Sequence, residues 1–120
     1  VYEDDHTVAF MDIMPQADGH VLVLPKEGAA QLFDLSDEAA SAAIRTTRKL
    51  ARAVRAAFTP PGIAVFQLNG SAAGQTVPHV HFHVLPRYND TPLQPHARVQ
   101  ADHDKLKVHA EKIIAALQAE

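Results

Sequence analysis

Cysteine is absent from this 120-residue chain, which excludes disulfides and thiolate-held metals. Positive charge is short as well. Lys and Arg number 11 against 14 Asp and Glu, for a formal net charge of -3, the wrong balance for general nucleic-acid binding. No apolar run approaches the ~20 residues of a membrane helix, and no signal peptide is visible. The expectation is a cytoplasmic protein with neither membrane nor nucleic acid as partner. The first residue is Val rather than Met, which is compatible with a trimmed N-terminus. The length suits one domain, 1–120, able to bury roughly 65–70% of its unfolded surface.

What is present reads as strands, then helix, then strands, then helix. Val1 to Glu3 ends a strand, and Asp4-Asp5 makes a turn. Thr7 to Met11 is a second strand, and residues 14–19 form a loop punctuated by Pro15 and Gly19. His20 to Leu24 is a third strand, stopped by Pro25 and antiparallel to the second. Gly28 to Leu35 holds a short helical turn at most. Ser36 caps a helix with Asp37 and Glu38 in its first turn, and the pattern runs to Phe58. Ala40, Ala43, Ile44, Leu50, Ala51, Val54 and Phe58 share one face. Arg45, Arg48, Lys49, Arg52 and Arg55 share another, read as a solvated stripe with an anionic partner as the sharper option. Pro60-Pro61-Gly62 ends the helix. Ile63 to Leu68 is a fourth strand, 71–76 a small-residue loop, and the strand that follows pairs with the fourth. Pro92 and Pro95 prevent regular structure up to about Gln100, and Asp104 to Gln118 is a final helix presenting Leu106, Ala110, Ile113, Ile114 and Leu117. This order predicts an α+β domain with an antiparallel sheet.

The chemistry concentrates in His79-Val80-His81-Phe82-His83-Val84-Leu85. The two-residue period of a strand puts the three histidines on one face, ~7 Å apart, and Val80, Phe82 and Val84 on the other. A half-buried strand needs water-tolerant residues there, and three imidazoles exceed that need. Two of them, with His20 as a third ligand, could share a metal, but the outer pair is separated by ~13 Å. No carboxylate falls within six residues of His83, so the spacing of a His-x-His and acid metal site fails. Nucleophilic catalysis at phosphorus fits better. Neutral imidazole, with an ordinary pKa of ~6.5, attacks an α-phosphoryl group and gives an adduct that water resolves. Such a site needs donors for the non-bridging oxygens. The loop Gly70 to Thr76 runs directly into the histidines and offers backbone N–H groups, the Gln75 amide and the Thr76 hydroxyl.

The histidine stretch resembles the His-x-His-x-His-x-x signature, x being apolar, of the histidine triad (HIT) family. Asn69-Gly70, Gly74-Gln75-Thr76-Val77, Asp12-Ile13, Pro15 and Gly19-His20-Val21-Leu22-Val23 extend the resemblance from Val1 to about Tyr88. It implies a HIT-like fold with about five strands, one long helix and a C-terminal helix, the core at 1–88 and an extension at 89–120. It also implies a two-fold homodimer with sheets joined across the axis and the helix from Asp37 at the interface. His81 would be the nucleophile, oriented by the main chain of His79, whose side chain would pair with His20. His83 would contact the phosphate or leaving group. Asn69, Gly74, Gln75 and Thr76 would serve the phosphate side. Asp12 would take the ribose hydroxyls, and Phe10, Ile13 and Leu22 would line the base pocket.

The implied activity is hydrolysis or transfer at the α-phosphate of an adenosine phosphoramidate or a dinucleoside polyphosphate, adenine being the favoured base. A purine-nucleotide-binding module with little turnover is the alternative, and a metal-dependent hydrolase a third. Thr76 resembles the polyphosphate-hydrolase branch and Asp12 the phosphoramidase branch. Some bacterial members hold a structural zinc with a Cys pair and a His after the Pro-Lys segment; here there is no Cys, and Gly28 takes the place of that His. No metal and no cofactor are expected. His6, His96, His103 and His109 fall outside these motifs and are expected on surface loops or helices.

Overall fold

Buried and half-buried residues alternate through Val21-Leu22-Val23-Leu24-Pro25, as a strand with one face on a core requires. The computed structural model describes residues 1–89 and 100–120. Its strands are β1 (Tyr2–Glu3), β2 (Thr7–Met11), β3 (Val21–Pro25), β4 (Gly62–Gln67) and β5 (Phe82–Arg87). They form one sheet in the order β1-β2-β3-β5-β4, every neighbouring pair antiparallel. The helices are α1 (Asp37–Phe58) and α2 (His103–Gln118), and a single 3-10 turn, Leu32–Asp34, fills the stretch read as a short helical turn. The expected α+β fold with five antiparallel strands is therefore present. The stretch holding Pro92, Pro95 and His96 lies outside the described residues, and no helix among those described is long and apolar enough to cross a membrane.

α1 starts where the sequence places it. The Ser36 hydroxyl oxygen accepts from the Ala39 N–H at 3.1 Å, and Glu27 accepts from both the backbone N–H and the hydroxyl of Ser36. Its buried face differs from the expected one. Ala39, Ala42, Ala43, Thr46, Thr47, Leu50, Ala53 and Val54 face inward, while Ile44 is 53% exposed. Two threonines are tolerated inside because both hydroxyls are satisfied. Thr46 shares a hydrogen bond of 2.7 Å with Thr7 of β2, and Thr47 donates to the Ala43 carbonyl at 2.7 Å. With those pairings a buried hydroxyl costs little.

The core joins Val21, Val23, Val84, Leu50 and Val54 to Ile113 of α2. Each such side chain contributes about 1.5–3 kcal/mol of burial. α1 lies over β3 and β5, and the strand order puts β4 on the sheet's edge. Between α1 and β4 a cavity of about 610 Å³ is lined by Arg48, Ala51, Arg52, Arg55, Ile63 and Val65. Arg48, Arg52 and Arg55 of the basic stripe are exposed, as a solvated face requires, and border this open pocket.

Candidate active site

Cross-strand partners share a face, so the register builds the site. Phe10 pairs with Leu22, Leu22 with His83, and His83 with Phe66. This row runs across four strands on the face opposite the one α1 covers. The His83 ring stacks on Phe66, with centroids 4.3 Å apart and planes at 11°. β5 begins only at Phe82, so the three histidines are not one strand. His79 and His81 belong to the turn that enters it, whose path is fixed by the Val80 N–H donating to the Ala29 carbonyl at 2.9 Å. Val80, Phe82 and Val84 are nonetheless buried together.

Each histidine's second nitrogen is fixed by a partner. His20, 1% exposed, has Nδ1 3.2 Å from the backbone N–H of Gln16, so Nδ1 accepts and the neutral ring carries its proton on Nε2. Nε2 lies 3.0 Å from Nδ1 of His83. His20 therefore donates to His83, and neutral His83 carries its proton on its own Nε2. His81 Nδ1 sits 2.7 Å from the His79 carbonyl. A carbonyl only accepts, so His81 is protonated on Nδ1 and its Nε2 holds a lone pair. The His81 and His83 ring centroids are 5.0 Å apart. A ring nitrogen with a free lone pair on His81 thus neighbours the His83 ring.

Two expectations change here. His79 does not pair with His20; its Nε2 lies 3.0 Å from the Pro25 carbonyl and ties the entering turn to the end of β3. His20 meets His83 instead, because the Leu22–His83 register brings those strand ends together. In the loop 70–76, expected to face a phosphate, the Gly70, Ala73, Gly74 and Gln75 N–H groups are spent internally. Gly70 and Gly74 take positive φ of 87° and 102°, where a side chain would be strained. The Gly70 carbonyl accepts from Ala73 and Gln75, and Ser71 accepts from Gly74. Gln75 Oε1 accepts from the Gly70 N–H, and its amide donates to the Ala30 and Val77 carbonyls. Asn69 Oδ1 accepts from the Leu32 N–H and from Gln67. These side chains brace the loop. The exposed Thr76 hydroxyl has no partner among the described residues.

Asp12 Oδ1 accepts from the Met14 N–H at 2.9 Å, and Oδ2 is 3.6 Å from His20 Nδ1. That contact is an ion pair only if His20 is protonated. Burial first, and the charge of His81 second, lower the His20 pKa to about 4, so at neutral pH it is not. Asp12, His20 and His83 bring ligand atoms within 4.8 Å of one another, and both His20 nitrogens are engaged in hydrogen bonds, Nδ1 with the Gln16 N–H and Nε2 with His83. Gly28 is exposed and offers no donor.

Phe10 and Ile13 are exposed, 41% and 59%, and Leu22 is half-buried between Phe10 and His83. Of the remaining histidines, His6 and His103 are exposed, but His109 is half-buried against Phe58. Gln16 and Phe66 went unnoticed in the sequence. Phe66 was discoverable by pairing β4 with β5, whereas a backbone N–H, the contribution of Gln16, carries no residue-type signal.

Residues 1–90 match the family model described as the HIT domain. The protein hit of Bacillus subtilis is 43% identical over 88 residues, covering 73% of this chain and 61% of that one. The adenosine 5'-monophosphoramidase HNT1 of Saccharomyces cerevisiae is 36% identical over 124 residues, covering 97% and 72%. A crystal structure of a Hit-like protein from Bartonella henselae superposes with a TM-score of 0.90 at 45% identity, covering 97% and 84%. The chain thus spans 61% of the length of its Bacillus relative.

Proposed function

The chain belongs to the HIT family, and from that premise we propose that it is a nucleotide hydrolase or transferase working through a covalent nucleotidyl-His81. The observation that carries this reading is the His81 hydrogen bond to the His79 carbonyl, which keeps the Nε2 lone pair available next to His83. In the proposed step Nε2 attacks the α-phosphorus of a nucleoside 5'-phosphoryl substrate. The bond from phosphorus to the leaving group breaks, its electron pair goes to that group, and the group takes up a proton. His83, protonated on Nε2 and held by His20, is the donor at the phosphoryl oxygens or the leaving group. Water then cleaves the phosphorus–nitrogen bond and restores His81.

Asp12, Phe10, Ile13 and Leu22 are assigned to the nucleoside and Thr76 to the phosphate, with Asn69, Gly74 and Gln75 holding the loop that presents it. The likeness to the yeast adenosine 5'-monophosphoramidase favours an adenosine phosphoramidate over a dinucleoside polyphosphate. A homodimer is part of the proposal, supported by the open edge of β4 and by Val65 on that strand, 47% exposed. A cytoplasmic setting suits such a substrate. The test is to incubate the protein with adenosine 5'-phosphoramidate and with a diadenosine polyphosphate, following AMP and the intact protein mass. Wild type should release AMP and carry a transient adenylyl group, and a folded His81→Ala should do neither. Full turnover in that variant sinks the mechanism, and AMP binding without turnover in wild type establishes a binding module instead.

A further inference from the structure

The chain beyond the family-matched residues 1–90 returns to the site. Ala101, just ahead of α2, donates its N–H to the Ile13 carbonyl at 2.9 Å. One turn on, Lys105 Nζ reaches Asp18 Oδ1 at 3.2 Å, while the Tyr88 hydroxyl donates to the Asp18 carbonyl at 3.3 Å. A turn later His109 sets its ring edge-on to Phe58, with centroids 5.1 Å apart, and the Lys112 ammonium lies 5.7 Å from the same Phe58 ring. Phe58 fills the space beside Gly19, where an added Cβ would come within 2.9 Å of its Cδ2. His20 follows immediately.

Positions 105, 109 and 112 keep the three- and four-residue spacing of one helix face, and Ala101 leads into that helix. Ala101 and this face together hold the β2–β3 loop near both ends, at Ile13 and at Asp18-Gly19. The loop's own bonds are few: Asp12 N–H to the His20 carbonyl, His20 N–H to the Ala17 carbonyl, Met14 N–H to Asp12, and Gln16 N–H to the His20 ring. Ile13 and Met14 are 59% and 40% exposed, so burial does not fix them. A binding loop is only as well placed as the rigid element behind it.

We propose that α2 is a positioning element for the nucleoside side of the site, and that Ala101, Lys105 and His109 set nucleotide affinity by holding residues 12–20 rather than by touching substrate. The inference rests on the function proposed above and deepens it. It assigns to the C-terminal segment a share in nucleoside recognition that the family-matched residues do not contain.

The test uses the full chain with Ala101→Pro, which deletes the donor N–H, with Lys105→Ala, and with the pair His109→Ala and His109→Phe. Readouts are kcat and KM for adenosine 5'-phosphoramidate, AMP affinity, and amide exchange across residues 12–20. Ala101→Pro should raise KM and the AMP dissociation constant about three- to tenfold, the equivalent of one hydrogen bond, with kcat within about twofold. Exchange in 12–20 should rise while that in α1 stays unchanged. His109→Ala should repeat the pattern, and His109→Phe, which keeps a ring against Phe58, should restore wild-type values. Should Ala101→Pro fail to fold, the exposed Lys105→Ala and the His109 pair carry the same comparison. An active wild type whose variants leave KM and AMP affinity unchanged overturns the inference alone. A wild type that neither turns over nor binds AMP overturns the proposed function beneath it.

Discussion

Replacing His20 with glutamine separates its two nitrogens. Glutamine keeps a donor where Nε2 meets His83 and loses the acceptor at Nδ1 that meets the Gln16 N–H. At neutral pH that loss costs about 1–2 kcal/mol, since one buried donor goes unmet. Acid reverses the order. Burial, seconded by the charge of His81, holds the His20 pKa at about 4 instead of the ordinary 6.5. The unfolded chain therefore takes up this proton first, and the folded state resists it. Between pH ~6.5 and ~4 the unfolded state binds more protons, so stability falls as pH falls, and the loss is complete below the folded value. A depression of that size corresponds to about 3 kcal/mol, a large part of the roughly 5–15 kcal/mol that holds a domain together. Glutamine does not titrate and escapes this loss. Urea unfolding from pH ~7 to ~4.5 should show wild type more stable by about 1–2 kcal/mol at the upper end, with the order inverted at the lower. Other groups titrate in both proteins and cancel in the difference. Curves that stay parallel across that range would refute a neutral, relay-bound His20.

Gln75→Glu should lower stability by about 2–3 kcal/mol in urea, because the donors to the Ala30 and Val77 carbonyls are lost. It should also lower AMP release, although the side chain braces the loop rather than reaching for substrate. Asp4 accepts from the N–H groups of His6 and Thr7 and from the hydroxyls of Thr7 and Tyr2. Burial pushes its carboxyl up, but these bonds outweigh it and bring the pKa to about 2. Its stabilisation is present above pH ~3.8 and fades as pH falls toward ~2. Asp4→Ala should cost about 1–2 kcal/mol at pH 7 by chemical denaturation. Thr59, the α1 C-cap, sits at φ 45°, a left-handed conformation that strains a β-branched residue. Thr59→Gly should gain about 0.5–1 kcal/mol and raise the melting midpoint by a few degrees.

Elements with one dominant local cause were legible in the sequence. β3 is bounded by a glycine-ended loop and Pro25, α1 by Ser36 and Pro60-Pro61, and each began and ended within a residue or two of expectation. The buried face of α1 was less legible. Hydrophobicity placed Ile44 inside and left Thr46 and Thr47 out, because it assigns a hydroxyl its cost in isolation. The partners that remove that cost, the Thr7 hydroxyl and the Ala43 carbonyl, lie on another strand and on the backbone one turn away. The extent of β5 was obscured for a similar reason. Alternation through His79 to Val84 fits a strand, but the Val80 N–H is taken by Ala29, and ladder pairing starts at Phe82.

The same distinction separates the histidines. Residue type and spacing brought four imidazoles to attention, and imidazole chemistry pointed to phosphorus. What each ring does depends on what its other nitrogen meets, and those partners are set by register and backbone. His81 meets the His79 carbonyl two residues back. His79 meets the Pro25 carbonyl across the end of β3. His83 meets His20, 63 residues away, because Leu22 stands opposite it in the sheet. Shift β3 by one residue against β5 and His83 would face Val21 or Val23, whose side chains belong to the core. The relay would then have no donor for His83, and the tautomer that leaves a proton on its Nε2 would no longer be fixed. The hydrophobic pattern that buries Val21, Val23 and Val84 is therefore also what sets the protonation pattern of the site.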